Sequence, residues 1–411
     1  IYTDVEGVLT SDPRQVPTAK LMSTISCEEM LELASLGADV LHPRAVELAR
    51  SYGVNLLVQS SMNNKPGTIL TSQTFNQVNR RGIEHSKSVD GLELVENQAV
   101  IGLSHIPDKP GVAANLFETL SEGGVNVDLI IQAIHEQNSN DITFTVAKEE
   151  CQKAKQQCEY LIESIGGKVS TQNNMAKISI SGAGIMGRPS IAASLFETLS
   201  KSGINLRLIA TSEVKVSCVI DSQLGKKALR AISESFELND KQIKINPVNK
   251  LINEPEVRGV ALDSDQVQVS VTKVPDIPGT AGLICSALAE GGITLDTIVQ
   301  SERQHSDGSR DISFTLKKND RNSAEYALSS LLQKWKDTEI KDGPAIAKVS
   351  AVGAGMPNTV GTAGKIFRAI SNANVNIEMI ATSEIRTTCV VKEADGIKAL
   401  NAVHDYFKLG T

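Results

Sequence analysis

Two segments of the chain combine an acid, a proline and a glycine in the spacing of a turn that leads into a helix. They are Asp108-Lys-Pro-Gly111 and Asp276-Ile-Pro-Gly279, and an amphipathic pattern follows each of them. The free N–H groups in the first turn of a helix carry partial positive charge and can hold a carboxylate without an arginine. The pattern therefore predicts a site for a small carboxylate, although Asp before Pro-x-Gly is also a common turn or cap device.

Further acids and amides follow these helical patterns. An acid can balance an ammonium group, and side-chain amides both donate and accept hydrogen bonds. The candidate residues are Asn126, Val127, Asp128 and Gln132, then Thr294, Leu295, Asp296 and Gln300, and finally Asn205, Asn376, Ser212, Glu213, Ser383 and Glu384. Together with the carboxylate site they predict recognition of an amino acid; the alternative is that they cap helices and start strands.

The composition excludes several classes of function. The 411 residues carry a net charge of -7, which does not fit the basic surface of a nucleic-acid binder. The six cysteines include no C-x-x-C pair and no histidine at metal spacing, so we predict neither disulfides nor a metal site, and a reducing, cytoplasmic compartment. No apolar run approaches the roughly 20 residues of a membrane helix. A targeting segment could precede Ile1.

A Gly182-x-Gly184-x-x-Gly187 motif stands between a strand pattern and a helical pattern, as in dinucleotide-binding folds. Its repeated copy at Gly353-Ala-Gly355 loses the third glycine spacing, and the acid expected about 20 residues later is absent near Arg207. We therefore interpret the motif as a tight strand-to-helix turn that needs glycine.

The chain repeats itself in the order A, B, A, B. Residues 104–132 align without a gap with residues 272–300, and residues 177–220 align with residues 348–391. We call the four modules A1, B1, A2 and B2. Each shows a strand, a glycine-containing turn, an amphipathic helix, two strands, a second helix and a final strand.

This order predicts four tandem ferredoxin-like βαββαβ modules, an α+β fold with helices on one face of the sheet. The other face or the sheet edge needs a neighbour, so we expect the modules to associate side by side in two pairs. Residues 1–71 predict a separate α/β fragment. A polar linker is predicted at 72–91, either transmitting regulation or serving as a plain spacer, and the modules are predicted at 92–170, 171–248, 249–341 and 342–411.

The segments "DKPGVAANLF", "GVNVDLIIQ" and "DITFTV", followed by "KISISGAGI" and "GINLRLIATSEVKVSCVI", resemble the ACT regulatory modules of the aspartokinase family over residues 91–411. The resemblance implies sites between an A and a B module, often across a dimer, for lysine or threonine as feedback inhibitors. The implied first shell is Asp108, Ala113, Asn126, Asp128, Gln132, Asn205 and Leu206, and the second is Asp276, Ala281, Asp296, Gln300, Asn376 and Ile377. Thr294 and Leu295 replace the usual Asn-Ile, so the two pairs are expected to differ in affinity or ligand.

The string "YTDVEGVLTSDPR" (2–14) and the string "GADVLHPR" (37–44) resemble the C-terminal, nucleotide-binding part of the amino-acid kinase domain. The resemblance implies that Thr3 and Asp4 contact the adenosine part of ATP and that Arg14 reaches its phosphates. On spacing alone, a strand-end cap and a turn salt bridge explain the same residues. Leu9 replaces a frequent tyrosine, and Asp39 replaces a lysine that often touches phosphate.

Members of the family transfer a phosphoryl group from ATP, bound with Mg²⁺, to L-aspartate and so form 4-phospho-L-aspartate. The resemblance implies this reaction for the full-length protein. The chain contains no Lys-Phe-Gly-Gly-Thr-like opening, to which the phosphate-gripping lysine and the aspartate site of the family belong. We therefore expect no catalytic residue here, no activity of this chain alone, and a homodimer formed through the ACT modules. A stand-alone amino-acid sensor and a structural scaffold are the alternatives.

Overall fold

A computed structural model describes residues 1–36, 40–72, 88–135, 139–185, 187–247, 254–300, 305–335 and 337–411. Asp39 and residues 73–87 of the predicted linker lie outside these ranges.

The N-terminal segment, residues 1–72, is an α/β layer. Its elements are β1 (Tyr2–Thr3), β2 (Thr24–Ser26), α1 (Cys27–Ser35), α2 (Pro43–Tyr52), β3 (Leu56–Ser60) and β4 (Thr68–Thr71), with the strands in the order β1-β3-β4-β2. Helix α1 begins with a capping box in which the side chains of Ser26 and Glu29 each accept from the other's backbone N–H. His42 caps α2 by accepting from the N–H of Arg44, which fits a structural role for this histidine.

The first two modules contain the next elements. They are β5 (Gly91–Pro107), α3 (Val112–Glu122), β6 (Val127–His135), β7 (Ser139–Ala147), α4 (Cys151–Ile165), β8 (Lys168–Ser181), α5 (Pro189–Lys201), β9 (Leu208–Thr211), β10 (Lys215–Asp221), α6 (Gly225–Ser235) and β11 (Ile243–Ile245).

The last two modules repeat this order up to α10, with no described counterpart of β11. Their elements are β12 (Gly259–Val274), α7 (Thr280–Glu290), β13 (Ile298–Gln300), β14 (Arg310–Lys317), α8 (Arg321–Leu332), β15 (Glu339–Val352), α9 (Thr362–Asn372), β16 (Met379–Thr382), β17 (Arg386–Lys392) and α10 (Gly396–Tyr406). The predicted fold class, an α/β fragment followed by four βαββαβ modules, is confirmed.

Long strands are exchanged between tandem neighbours. The second half of β5 pairs within A1, whereas residues 91–95 pair with residues 177–181 of β8 and serve as the last strand of B1. In the same way residues 259–263 of β12 pair with residues 348–352 of β15 and complete B2. The predicted boundaries at 91/92, 170/171 and 341/342 therefore fall inside β5, β8 and β15. The exchange gives the backbone of residues 177–181 and 348–352 a partner on the side away from β10 and β17, and β11, which follows α6, pairs in parallel with residues 92–94.

The pairing of modules differs from the predicted one. Strand β6 of A1 pairs with β16 of B2, and α3 packs on α9; strand β13 of A2 pairs with β9 of B1, and α5 packs on α7. The edge pairs are thus A1 with B2 and A2 with B1. Within this chain Asp108 lies beside Asn376 and Asp276 beside Asn205, whereas the implied shells joined Asp108 to Asn205 and Asp276 to Asn376. The difference arises because tandem neighbours share exchanged strands instead of these edges.

The helix-free faces of the two paired sheets pack against each other. Val100 and Ile131 of A1 lie in one buried cluster with Leu208 of B1, Val299 of A2 and Met379 of B2. The strands form a closed ring, β5-β7-β6-β16-β17-β15-β12-β14-β13-β9-β10-β8, in which β8 returns to β5. Both the edge and the open face of each module are therefore covered.

The N-terminal segment docks on module B2. The backbone N–H of Val260 donates to the carbonyl of Thr10 (2.9 Å), and the Thr10 hydroxyl lies 3.0 Å from Nε2 of the fully buried His404 on α10. On the other side of the segment, Arg258 Nε donates to Glu29 Oε1 of α1 (3.2 Å). The loop that leads to Arg14 is thus fixed on the last helix of the chain.

We expect Phe367→Ala to weaken the A1–B2 pair. Phe367 is fully buried and its ring lies 5.4 Å from that of Phe117 across the pair. Truncation of a buried phenylalanine costs about 3–5 kcal/mol because it leaves a cavity. Urea unfolding measures this loss in the free energy of unfolding. Tyr160→Ala, at a side chain that is 75% exposed, serves as control and should change it by about 0.5 kcal/mol or less. Equal effects would contradict the described interface.

Candidate functional site

Each paired edge carries two clefts, because its A and B modules face each other with antiparallel edge strands. We name a cleft after the module whose first helix begins there. Cleft B2 encloses a cavity of about 250 Å³, whereas clefts A1, A2 and B1 enclose about 20, 10 and 30 Å³. Ligand pockets commonly measure about 300–1,000 Å³. Among these four clefts, B2 therefore approaches the size of a ligand pocket, and the other three are narrow clefts that are nearly filled by their own side chains.

The structure distributes the predicted site residues over these clefts. Cleft A1 contains Ala113, Gln132, Asn376 and Ile377 beside Asp108; cleft A2 contains Asn205, Leu206, Asp276, Ala281 and Gln300; cleft B2 contains Asn126, Val127, Asp128, Ser383 and Glu384; cleft B1 contains Ser212, Glu213, Leu295 and Asp296. Thr294 is exposed next to Leu295. The implied first shell thus mixes residues of three different clefts.

Three of the clefts open onto a helix that begins at a glycine. Gly111, Gly279 and Gly361 stand at the N-caps of α3, α7 and α9 with φ of 94°, 104° and 90°, and none of them supplies a side-chain cap. This left-handed conformation favours glycine. The N–H groups of Val112 and Thr280 donate to the carbonyls of Lys109 and Ile277 at 3.3 Å each, and no side-chain cap accepts from the N–H groups that follow them. These following N–H groups can therefore meet an anion, as the sequence predicts for α3 and α7.

A serine from the partner helix lies opposite each of these glycines. A Cβ at Gly111 would lie 3.1 Å from Ser371 Oγ and one at Gly279 would lie 2.7 Å from Ser200 Oγ, and Ser121 faces Gly361 in the same way. The sequence interpretation missed these serines. Their signal is a repeat, since each serine follows a buried phenylalanine by four residues in α3, α5 and α9.

Clefts A1 and A2 hold their aspartates differently. Asp108 Oδ1 accepts from the amides of Asn140 (2.8 Å) and Asn376 (2.7 Å). Asp276 accepts from the Asn205 amide (3.0 Å) and from Nε of Arg310 (2.8 Å). Arg310 is only 1% exposed and stands at the position that Asn140 occupies in A1. A buried cation therefore offsets the negative charge in cleft A2, whereas neutral amides hold it in cleft A1.

The acids of cleft B2 meet cations of module B1. Lys177 pairs with Asp128 and lies 3.9 Å from Glu384, and Lys215 pairs with Glu384 and with Glu93 (2.6 Å). Burial alone raises the pKa of Glu384, but Lys215 and Lys177 outweigh it and lower this pKa to about 2. The sequence interpretation placed these acids against a ligand's ammonium group; here lysines of the protein occupy that role.

The acids of cleft B1 have equivalent partners. Lys348 pairs with Asp296 and lies 3.2 Å from Asp263. Arg386 lies 3.6 Å from Asp296 and 3.8 Å from Glu213. Each B cleft thus combines two carboxylates with two protein cations at the junction of three modules. These partners come from distant parts of the chain, and for that reason spacing alone did not find them.

The predicted nucleotide residues make local contacts. Thr3 ends β1 and its hydroxyl donates to the carbonyl of Val5, while Asp4 is exposed. Arg14 has an 81% exposed side chain that pairs with Asp12 at 2.7 Å, and this guanidinium lowers the pKa of Asp12. Leu9 forms a bridge to Leu21. The arrangement places an exposed, ion-paired guanidinium on the surface of the loop that β12 and α10 fix.

The described part of the chain contains no group of three or more His, Cys, Asp or Glu residues placed to hold a metal ion. None of the described helices is long and apolar enough to cross a membrane.

We expect Glu384→Gln to destabilise the protein in a pH-dependent way. Because Lys215 and Lys177 stabilise ionised Glu384, its contribution is complete above the unfolded pKa of about 4.5 and is lost as the pH falls towards the folded pKa of about 2. The urea midpoint of the variant should lie below that of the parent at neutral pH, and the gap should shrink between these two pH values. Glu159→Gln, which breaks only the helical pair with Lys155, is the control. A gap that stays constant with pH would contradict the charge assignment.

Comparison with known proteins extends these observations. The ACT domain model matches residues 99–160, 178–236 and 349–407, and the amino acid kinase family model matches residues 1–60. Aspartokinase from Thermus thermophilus is 42% identical over 241 residues, and aspartokinase from Helicobacter pylori is 36% identical over 239 residues. The chain spans 58% of the length of each of these two relatives.

A solved structure matches the whole chain. The aspartate kinase from Synechocystis superposes with a TM-score of 0.93 and 46% sequence identity over 100% of this chain and 71% of its own. The agreement includes the N-terminal segment and all four modules in one arrangement. The chain belongs to the aspartate kinase family.

Proposed function

We propose that the chain is the effector-binding C-terminal portion of an aspartate kinase, the whole of which transfers a phosphoryl group from ATP to L-aspartate. The observation that carries the effector proposal is the set of glycine-started helices that lack a side-chain cap and open onto acids and amides contributed by both modules of a pair. A free amino acid presents a carboxylate and an ammonium group at a short fixed distance. The two halves of each cleft supply complementary groups for both.

Clefts A1 and A2 suit L-threonine. They are small, and each combines the start of a helix with an aspartate, a glutamine and an asparagine. The N–H groups after Gly111 would hold the carboxylate and Asp108 would receive the ammonium group. Gln132, whose amide donates to the carbonyl of Ile377 at 2.8 Å, and the Ser371 hydroxyl are near enough to take part in binding a hydroxyl side chain.

Clefts B1 and B2 suit L-lysine. Each contains two carboxylates, Asp128 with Glu384 and Asp296 with Glu213, which match the two ammonium groups of lysine. In cleft B2 the helix after Gly361 would hold the carboxylate. In cleft B1, Pro189 at the start of α5 lacks an N–H, and the exposed Arg188 beside it supplies the cation instead. Bound lysine would replace cations of the protein at these acids.

The difference at Asn140 and Arg310 predicts unequal threonine sites. Arg310 already compensates Asp276, so the ammonium group of a ligand gains less in cleft A2 than in cleft A1. We infer that cleft A1 is the tighter site for threonine.

The proposed role of the N-terminal segment is nucleotide binding. Thr3 and Asp4 would contact the adenosine part of ATP, and Arg14 would contact its phosphates. The exposed guanidinium of Arg14 fits this role, because a phosphate can replace Asp12 as its ion-pair partner. ATP is expected to bring Mg²⁺, which neutralises phosphate charge during phosphoryl transfer. The chain itself binds and orients part of the nucleotide, and the remainder of the kinase domain supplies aspartate binding and catalysis. We further propose a homodimer through the modules.

Calorimetric titration of this chain with L-threonine and with L-lysine tests the effector proposal. Asp108→Asn should weaken threonine binding about tenfold or more while lysine binding persists, because a charge-assisted hydrogen bond contributes about 1.5–3 kcal/mol. Asp128→Asn should have the opposite selectivity. Asp265→Asn, at an exposed acid outside the clefts, should leave both unchanged. Absence of heat with either amino acid, or equal loss of both in each variant, would refute the assignment.

Steady-state assay of the whole kinase tests the nucleotide proposal. Arg14→Ala should lower kcat/KM for ATP about tenfold or more, because it removes a charged contact to phosphate. Arg44→Ala, which removes another partly exposed arginine of the same segment, serves as the matched control. An unchanged kcat/KM in Arg14→Ala would exclude this residue from the nucleotide site.

A further inference from the structure

One buried arginine touches both the effector clefts and the N-terminal segment. Arg386 NH1 donates to Glu32 Oε2 on α1 at 3.0 Å, and the same guanidinium lies 3.8 Å from Glu213 and 3.6 Å from Asp296. Arg386 is 2% exposed and Glu32 is 0% exposed. The two acids other than Glu32 line cleft B1.

Arg386 also belongs to the hairpin that lines cleft B2. Ser383 and Glu384 face that cleft, and the N–H of Ser383 donates to the carbonyl of Arg386 at 2.8 Å. A shift of Glu384 towards a ligand therefore moves the backbone that carries Arg386. The acids of cleft B1 act on the Arg386 guanidinium by electrostatic attraction. Glu384 of cleft B2 acts on it through the backbone of the turn.

The equivalent residue of module B1 lacks this connection. Lys215 stands in the aligned position and pairs with Glu384 and Glu93, both of which belong to strands or turns of the modules. An arginine presents several donors in a planar fork and can serve several carboxylates together, whereas a lysine ammonium is a single point charge. Within the described residues, the symmetry between the B modules is thus broken where the N-terminal segment docks.

We propose that Arg386 is the positioning residue through which an amino acid in clefts B1 and B2 acts on α1 and on the nucleotide-binding sheet beneath it. This inference rests on the proposed function. An ammonium group of the ligand neutralises the negative charge of Glu213 and Asp296. The Arg386 guanidinium then pairs with Glu32 alone. Helix α1 packs on β2 and β4, so the tighter pair holds the sheet of the N-terminal segment in one arrangement.

Because Glu32 is buried, the free energy of its pair with Arg386 depends strongly on the position of the guanidinium. Burial raises the pKa of Glu32, and the positive charge of Arg386 opposes the rise. An ionised carboxylate without access to water depends on its cation, so small movements of Arg386 change the free energy of α1 more than they would at the surface. Coupling between two sites requires such an element with different affinities in two states.

Hydrogen exchange of the α1 amides in this chain, with and without saturating L-lysine, tests the inference. Calorimetry first shows that each variant binds lysine. We expect at least about fivefold slower exchange on lysine addition in the parent, the low end of usual coupling factors. The ratio with and without lysine is the readout, because a merely structural role would change both rates alike.

Three variants complete the test. Glu32→Gln should bind lysine but lose the response at α1, and Arg386→Lys, which keeps the charge and copies Lys215, should retain less than half of it. Glu47→Gln is the matched control, since Glu47 is a buried acid on α2 that pairs with Arg44. Lysine binding without slower exchange at α1, or slowing that persists in Glu32→Gln, overturns the inference. Absence of lysine binding in the parent overturns the proposed lysine sites as well.

Discussion

The pairing of exposed strand edges is the constraint on which this architecture depends. A βαββαβ sheet leaves backbone N–H and C=O groups unsatisfied at its edge, and those of β6 and β13 are covered by β16 and β9 from the other tandem unit. The same pairing brings the start of a helix and the polar side chains of two modules into one cleft, as for Asp108 with Asn376 and for Asp276 with Asn205. Each cleft therefore exists only as a property of a pair. Contacts within a cleft thus join residues that are distant in the sequence, 71 residues apart for Asn205 and Asp276 and 268 residues apart for Asn376 and Asp108.

The sequence predicted whatever is encoded locally. Glycine at 111 and 279, the alternation of apolar residues and the internal repeat were enough to give the βαββαβ order and the free starts of α3 and α7, because each depends on a few neighbouring residues. The sequence did not predict which strand of another module pairs with each sheet edge. Strands β9 and β16 have similar sequences, so local pattern cannot tell which one meets β6. The cations at Asp128 and Asp296 were missed for the same reason, whereas Ser121, Ser200 and Ser371 could have been found from their constant distance to a phenylalanine.

Duplication has left copies that differ in a few charged positions. Asn140 and Arg310 face equivalent aspartates, and Lys215 and Arg386 occupy equivalent places in the two hairpins. The backbone around each pair is alike, so each change acts mainly through charge and through the number of donors. One change gives clefts A1 and A2 different charge, and the other joins the modules to α1. In this chain, chemical asymmetry thus arises from single side chains on a nearly symmetric frame.

The exchanged strands also bear on how a chain of this architecture can evolve. Residues 91–95 complete B1, yet they precede A1 in the chain, and residues 259–263 stand in the same relation to B2. Loss of a single A module by recombination would take with it the edge strand of the following B module. Gene segments could therefore be gained or lost only as complete A–B units, and relatives of this architecture are expected to carry their modules in even numbers.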